Sequence, residues 1–440
     1  MSSKVAFHTL GCKLNFSETS TIGNQFVKKG FDVVDFKGKA DVYVINTCTV
    51  TENANRECRQ IVRRALRNNP NSYIIVTGCY AQLSPDEIFQ IDGVDAVLGN
   101  NEKFEIFSLI PEFKKDAPSC IHVSETEALD KFNFAYSSES LGRTRAFFKI
   151  QDGCDYKCTF CTIPLARGKS RSSDPAEVVA EFRKLIASGY KEIILTGVNV
   201  GDYGNNIGTD LYSLLKSMLD VEGDYRIRIS SIEPNLLTDK IIDLTANNSK
   251  MAKHFHIPLQ SGSNKMLKLM QRRYSVEDYN KLISKLVSKI DGVGIGVDVI
   301  VGSPGETEKD FFDTYNFIKE LPISYLHVFT YSERPNTKAI EMDGIVEISE
   351  RKRRNNLLRI LSEKKRNMYY KKMINKDVTI LFEDENQEGN MLGWTSNYVR
   401  VKYPYDKKLT NNLIENKIEG MDGNICTIKL STDQITSIAG

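Results

Sequence analysis

Over the first hundred residues, short β-branched apolar runs alternate with stretches in which apolar side chains return every three or four positions. Residues 5–10, 41–47 and 73–77 read as strands; 17–29, 53–68 and a shorter segment after Ser84-Pro85 read as helices. Such alternation predicts a parallel sheet, because a crossover long enough to hold a helix returns each new strand in the same direction. Residues 101–142 lose the pattern, and Ser137-Ser138-Glu139-Ser140 at their end reads as a linker. A second alternating series has strands near 146–151, 192–196, 226–231, 254–259, 294–301 and 325–329, with helices at 175–187, 211–219, 275–290 and 308–320. Its six units, between residues 146 and 330, fall short of the eight of a closed barrel, so an open, partial barrel is expected. Residues 350–373 then predict a long basic helix, and 377–382, 393–402 and 425–430 predict strands of a small β-barrel. The expected fold class is therefore α/β, in three units: a parallel-sheet unit over 1–140, a partial (βα)6 barrel over 141–374, and a small OB-like β-barrel over 375–440.

Composition narrows the function classes. With 26% charged and 41% hydrophobic residues in 440, the chain buries several cores and is not low-complexity disorder. No apolar run approaches the ~18–20 residues of a membrane helix, and Met1-Ser2-Ser3-Lys4 carries no signal-peptide pattern, so a cytoplasmic protein without a membrane partner is expected. The 59 basic and 57 acidic residues leave a net charge of +2, so any nucleic-acid contact has to be a local patch. Nine cysteines in a reducing compartment point to metal or redox chemistry rather than disulfides.

Cys154, Cys158 and Cys161 form a C-x3-C-x2-C run just after the first strand of the second series. Three thiolates this close wrap one metal centre; an iron–sulfur cubane held by three of its usual four cysteines keeps one iron open to a non-protein ligand. Zinc is the alternative, and it needs a fourth ligand from a distant residue. Cys12, Cys48 and Cys79 lie far apart in sequence, yet each sits just past one of the first three strands. The carboxyl ends of parallel strands share one edge, so these thiols are expected to converge. Cys58, Cys120 and Cys426 have no partner at ligand spacing and are assigned to packing.

The C-x3-C-x2-C run resembles the signature of radical S-adenosylmethionine enzymes, and the whole chain resembles the methylthiotransferases. The stretches that carry the likeness are Thr9-Leu10-Gly11-Cys12-Lys13-Leu14-Asn15, Asn46-Thr47-Cys48-Thr49-Val50-Thr51, Val76-Thr77-Gly78-Cys79-Tyr80-Ala81-Gln82, the Cys154 loop with Ala166-Arg167-Gly168-Lys169-Ser170-Arg171-Ser172, and His256-Ile257-Pro258-Leu259-Gln260-Ser261-Gly262-Ser263. The resemblance implies two [4Fe–4S] clusters, an auxiliary one on Cys12, Cys48 and Cys79 and a radical one on Cys154, Cys158 and Cys161. It also implies S-adenosylmethionine as methyl donor and radical source, an N-terminal methylthiotransferase domain, a central radical domain and a C-terminal TRAM domain. Lys13-Leu14-Asn15 and the Arg-rich helix after Cys48 look most like the branch that acts on N6-threonylcarbamoyladenosine at position 37 of tRNA. Competing branches act on N6-isopentenyladenosine at that position or on an aspartate of a ribosomal protein. A noncatalytic iron–sulfur RNA-binding protein is the alternative of a different class. An external electron donor, a sulfur source and the tRNA anticodon stem-loop are the implied partners.

By position and similarity, Gly197, Asn199, Glu233, Gln260, Ser261 and Arg273 are candidates for the cofactor's polar groups. For RNA, Arg56, Arg59, Arg63 and Arg67 recur at helical spacing near the Cys48 loop, and Lys352, Arg353 and Arg354 belong to a run with ten cations and one acid between residues 351 and 372. Trp394, Tyr398 and Arg400 interleave aromatics with a cation, as single-stranded nucleic-acid platforms do. From Lys376 onward, however, seven basic residues face ten acidic ones.

Overall fold

The computed structural model describes residues 2–49, 52–137 and 144–431. The linker expected at Ser138-Glu139-Ser140 and the end of the Cys48 motif, Val50-Thr51, lie outside them. The first unit is a six-stranded parallel sheet of β1 (Lys4–Thr9), β2 (Asp32–Val34), β3 (Val42–Thr47), β4 (Tyr73–Gly78), β5 (Ala96–Leu98) and β6 (Cys120–His122), in the order β2-β1-β3-β4-β5-β6. Its helices are α1 (Lys13–Lys28), α2 (Glu52–Asn68), α3 (Cys79–Leu83), α4 (Pro85–Phe89) and α5 (Ile106–Leu109). Every residue of β3 and β4 is buried, because both sheet faces are covered. Val42, Val44 and Ile75 pack with Ile22 and Phe26 of α1, while Tyr43, Ile45 and Ile74 pack with Ile61 and Val62 of α2.

Two expectations change here. The helix predicted from residue 17 starts at Lys13, because Asn15 is drawn inward to bond the surrounding loops; and Cys120, read as irregular, belongs to the edge strand β6.

The central unit contains β7 (Arg145–Lys149), β8 (Gln151–Asp152), α6 (Ile163–Arg167), β9 (Arg171–Ser172), α7 (Pro175–Ala187), β10 (Glu192–Thr196), α8 (Leu211–Leu219), β11 (Arg226–Ile229), α9 (Asp239–Asn247), β12 (His254–His256), α10 (Asn264–Leu269), α11 (Val276–Lys289), β13 (Gly294–Val301), α12 (Glu308–Glu320) and β14 (Tyr325–Thr330). Parallel sheets β7-β10-β11 and β12-β13-β14 are joined by single bridges, Ile227 with Met251 and Ser231 with His256. The result is an arc of six strands in sequence order. Alternation along each strand divides its side chains. Phe148, Ile193, Leu195, Ile227, Phe255, Val297 and Val299 belong to the core beneath the helices. Arg145, Lys149, Glu192, Arg226, Arg228, His254, His256, Asp298, Tyr325 and His327 occupy the alternate positions and give the inner face its charge.

Helix α13 (Ile348–Met373) packs on β14 and leads into β15 (Asp377–Phe382), β16 (Asn390–Thr395), β17 (Arg400–Pro404), β18 (Leu413–Lys417), β19 (Gly420–Asp422) and β20 (Ile425–Thr427), ordered β18-β15-β16-β17-β20-β19. Pairing is antiparallel except between β17 and β20. The single strand expected over 393–402 is instead the two arms of a hairpin, turned at Ser396-Asn397-Tyr398, where Tyr398 takes a φ of +69°. No helix among the described residues is long and apolar enough to cross a membrane.

Candidate functional site

Strands β1, β3 and β4 are adjacent and in register, with Thr9 beside Asn46 and Thr47 beside Gly78, so their following loops lie side by side. Cys12 immediately precedes α1, Cys48 directly follows β3 and Cys79 opens α3. Side-chain bonds tie these loops together. Asn15 Nδ2 donates to the Leu10 carbonyl at 2.8 Å and to the Thr47 carbonyl at 3.0 Å, and Thr47 Oγ1 donates to the Thr77 carbonyl at 2.5 Å. Gly11, at φ +100°, is required: a Cβ there would lie 2.8 Å from Cys48 Cβ and 2.9 Å from its Sγ. Cys12 Sγ lies 3.9 Å from Asn15 Oδ1, and the same side chain holds the start of the Cys48 loop through the Thr47 carbonyl, so Cys12 and Cys48 share one brace.

The second triad follows β8. Gly153, at φ +71°, lets the chain pass against the Lys169 carbonyl, and the Cys154 N–H donates to the Gly168 carbonyl at 3.0 Å. Burial and the neighbouring thiols push Cys154 and Cys161 up to about 12. Thiols so raised stay protonated at neutral pH unless a cationic centre replaces the hydration they have lost. Arg272 Nη1 donates to Cys158 Sγ at 3.1 Å while its other nitrogen pairs with Glu233. The first triad has a counterpart in Arg167, whose Nε donates to Cys79 Sγ at 3.3 Å. Three thiols and one guanidinium at each site fit an anionic thiolate cluster that keeps one position for an outside ligand.

Arg167 also joins the two units. It lies on α6, which begins two residues after Cys161, and its guanidinium reaches Glu18 on α1 at 2.9 Å, Asp152 at 3.0 Å and Asn15 Oδ1 at 2.8 Å. Lys103 and Lys149 complete the cluster, with ammonium–carboxylate distances of 2.5 Å to Glu18 and 2.7 Å to Asp152. Burial alone would raise the Glu18 carboxyl, but Arg167, Lys103 and Lys149 outweigh it and hold the group well below the carboxylate range.

Phe160, Cys161, Gln260, Asp298, Ile300 and Tyr331 line a cavity of about 290 Å³ inside the arc. Asp298 Oδ1 lies 2.8 Å from His256 Nε2 and 3.3 Å from His327 Nδ1. Burial raises Asp298, yet the two imidazoles win and hold it low. Of the six candidate ligand thiols, Cys161 lines this cavity, and Arg167 ties the first triad to it through its bond to Cys79 and its place on the helix that follows Cys161.

The cofactor candidates divide. Asn199 is buried with neither side-chain atom partnered, its backbone N–H held by Gln151 Oε1 at 2.8 Å, and Gly197 packs against the same Gln151. Gln260 presents an unpartnered Oε1 to the cavity from a φ of +66°. Glu233 is engaged by Arg272, and Arg273 lies 3.8 Å over the Tyr156 ring of the Cys154 loop. Ser261 is braced within the fold: its hydroxyl bonds Thr314 Oγ1 of α12 at 3.0 Å and accepts from the Ser263 N–H.

The RNA candidates divide as well. Arg56, Arg59, Arg63 and Arg67 are exposed on α2, with Arg59 paired to Glu87. On α13 only Lys352 of the expected trio is exposed without an ion pair; Arg353 binds Glu308 and Glu350, and buried Arg354 binds Glu306 at 2.7 Å and Glu350 at 2.7 Å. Exposed Arg359, Lys364, Lys371 and Lys372 extend its free basic face. Trp394 and Tyr398 stack at 4.2 Å, and Tyr398 stacks on His254 of β12 at 4.5 Å, so these rings face the barrel rather than an open platform. Arg400 is spent on Glu383 at 2.7 Å and on the Trp394 ring. Sequence reasoning missed Arg167, Arg272, Asp152, Glu18 and Asp298; a charged residue recurring at alternate positions of an apolar strand was the available signal for Asp298 alone.

Residues 4–99 match the uncharacterized protein family UPF0004, and residues 148–318 match the radical SAM superfamily. The chain is 43% identical over 420 residues to the threonylcarbamoyladenosine tRNA methylthiotransferase MtaB of Bacillus subtilis, an alignment covering 94% of this chain and 93% of that one. It is 34% identical over 424 residues to the tRNA-2-methylthio-N(6)-dimethylallyladenosine synthase of Fusobacterium nucleatum, covering 94% and 97%. Among solved structures it shares a fold with the radical S-adenosylmethionine methyltransferase TsrM from Kitasatospora setae, with a TM-score of 0.53 and 17% identity over 77% of this chain and 74% of that one.

Proposed function

Because this chain belongs to the tRNA methylthiotransferase family, we propose that it installs a methylthio group on carbon 2 of N6-threonylcarbamoyladenosine at position 37 of tRNA, with one S-adenosylmethionine as methyl donor and a second as radical source. The observation that carries this reading is Arg167, which ties Cys79 of the first thiol triad to the helix that follows Cys161 of the second, beside a cavity lined by Cys161 and Asp298 and the charged inner face of the arc. A threonylcarbamoyl group brings a carboxylate, a hydroxyl and amide N–H groups, which suit such a face; a dimethylallyl group brings none and would leave the charges desolvated.

In this reading Cys154, Cys158 and Cys161 hold one [4Fe–4S] cluster, and Cys12, Cys48 and Cys79 hold an auxiliary one. With the cofactor bound and an external electron donor, the first site would supply radical chemistry. The protein's own residues do the positioning. Arg272 and Arg167 donate N–H groups to one sulfur of each triad, Asn199 and Gln260 offer unpartnered polar atoms to the cofactor, and the apolar strand faces and helices keep bulk water from the cavity. The exposed cations of α2 and of α13 supply phosphate contacts for the anticodon stem-loop. The three units divide near residues 140 and 374, the last being the TRAM unit, and a tRNA substrate puts the reaction in the cytoplasm.

The test is reconstituted protein incubated with reductant, S-adenosylmethionine and tRNA bearing either N6-threonylcarbamoyladenosine or N6-dimethylallyladenosine. Mass spectrometry of the nucleosides is expected to show the 2-methylthio product from the first only. Product from the second alone would assign the other branch. A Cys158→Ala variant is expected to lose cofactor cleavage and roughly half its iron while keeping tRNA affinity, which a noncatalytic RNA-binding protein with structural clusters would not do.

A further inference from the structure

Histidine is scarce in this chain, five in 440 residues, yet two of the five meet one aspartate on the inner face of the arc. Strands β12, β13 and β14 are adjacent and parallel, with Asp298 directly opposite His327 and His256 opposite Gly296, two residues before Asp298. Alternate positions of a strand share a face, so the three side chains project together from neighbouring strands. His256 Nε2 and His327 Nδ1 lie 2.8 and 3.3 Å from the same atom, Asp298 Oδ1, and the centroids of the two rings are 5.0 Å apart. One nitrogen or oxygen from each residue lies within 4.8 Å of those of the other two.

This is not an ordinary hydrogen-bonded cluster. Asp298 Oδ1 is buried and accepts no hydrogen bond, although both imidazole nitrogens stand beside it. A buried carboxylate oxygen left in that state lacks the partner that such atoms regularly have. Coordination geometry supplies one. Donors held about 2.1 Å from a common ion stand about 3.0 Å apart at right angles and about 3.4 Å apart at the tetrahedral angle. The separations of 2.8 and 3.3 Å lie close to those edges. An ion takes the nitrogen lone pair, so rings and carboxylate converge on a third point rather than on one another.

We infer that His256, Asp298 and His327 form a binding site for a divalent first-row transition-metal ion, distinct in its ligands from both thiol triads and independent of the reaction proposed above. Imidazole and carboxylate donors suit such ions, whereas thiolates select iron–sulfur clusters. An ion there also compensates the desolvated carboxylate. Three protein donors leave at least one position of the ion open. Asp298 lines the same cavity as Cys161, so the ion stands at the wall of that cavity and its open position takes water or an entering oxygen ligand.

The experiment titrates the cluster-loaded protein, anaerobically and with its clusters oxidised, with Mn²⁺, whose preference for oxygen and nitrogen donors keeps it from thiols. Free Mn²⁺ is read from its EPR signal, and coordinated water from the enhancement of water-proton relaxation. Wild type is expected to bind one Mn²⁺ per chain above the weak background, with enhanced relaxation. Asp298→Asn and His327→Ala are each expected to weaken that site by about tenfold or more, since even the loss of an outer partner of a metal ligand costs about 10–100-fold. The His327 side chain is more than half exposed, so its alanine variant is expected to keep the wild-type melting temperature, which separates loss of a ligand from loss of the fold. His122→Gln, on the edge strand β6, is expected to bind as wild type does. Equal Mn²⁺ affinity in wild type, Asp298→Asn and His327→Ala overturns the inference, as does wild-type binding at background level only; either result leaves the proposed function standing.

Discussion

At the scale of single residues, Arg167 carries more of the architecture than any other side chain near the thiols. Its guanidinium is buried and shared among Cys79, Glu18, Asp152 and Asn15, so it holds a strand-end cysteine of the first unit against the helix that leaves the second triad. Replacing it with methionine of similar length leaves two buried carboxylates short of a partner, and breaking a buried ion pair in this way costs about 3–5 kcal/mol. Arg167→Met is expected to lower the denaturant midpoint with an unchanged slope and to weaken retention of iron at the Cys12 site; lysine, with a point charge and no planar fork, is expected to recover only part of either. Asp298 is the corresponding residue of the arc. Its carboxylate lies against the imidazoles of His256 and His327, which hold it in the charged form.

At the scale of elements, α13 shows how a basic run divides into two roles. Helical spacing turns Arg351 and Arg354 inward, where Arg351 pairs with Glu333 at 2.6 Å and Arg354 with Glu306 at 2.7 Å, while Lys352, Arg359, Lys364, Lys371 and Lys372 remain exposed. Along the chain, ten cations stand against one acid between residues 351 and 372; part of the run is neutralised by Glu350 of the same helix, and the rest by Glu306, Glu308 and Glu333, from loops and α12, which only the fold brings alongside. Arg354→Met is therefore expected to reduce thermal stability with little change in the salt dependence of tRNA binding. Changing Lys352, Arg359 and Lys364 together to glutamine is expected to leave the melting temperature within a degree or two and to lower the slope of log affinity against log salt by about one for each phosphate no longer neutralised. An unchanged slope would mean that this face does not meet RNA. The Trp394–Tyr398 pair carries the same lesson. Its aromatic and basic neighbours read as a nucleic-acid platform, but the turn at Tyr398 folds the rings onto His254 and joins the last unit to the barrel.

At the scale of the whole molecule, the units are held together by buried charge as well as by apolar surface, and this fixes the response to acid. Arg226 and Arg228 bind Glu192 and also donate to the carbonyls of Thr379, Trp394, Thr395 and Ser396 in the last sheet. Burial would raise the Glu192 carboxyl, but Arg226 and Arg228 overcome it and hold the group far below its unfolded value; Glu18 and Asp152 are lowered in the same way by their own partners. A carboxyl depressed on folding contributes stability that is complete above its unfolded value, about 4.3 for Glu, and is lost as pH falls below it. Burial holds His8 and His254 below the unfolded imidazole value of about 6.5, so thermal melts are expected to begin falling below about pH 6.5 and to fall steeply below about pH 5, where the carboxyls join; Glu192→Gln is expected to be less stable at pH 7, with the gap to wild type narrowing in acid. A constant gap down to pH 3 would mean that Glu192 is not the linked group.

What the chain determines locally was legible without a structure. Strand and helix periodicity, the six-unit arc and the position of a cysteine at the end of each of three parallel strands follow from side-chain spacing and from the direction that a helical crossover imposes. Tertiary structure alone decided which charges meet. Glu18, Lys103, the neighbouring Lys149 and Asp152, and Arg167 come from four stretches of the chain, and no local spacing marks the convergence of those stretches. Coulomb interactions act through space and depend on the enclosure that only the assembled fold creates, so a buried charge finds its partner far along the chain, as Lys103 finds Glu18 85 positions away.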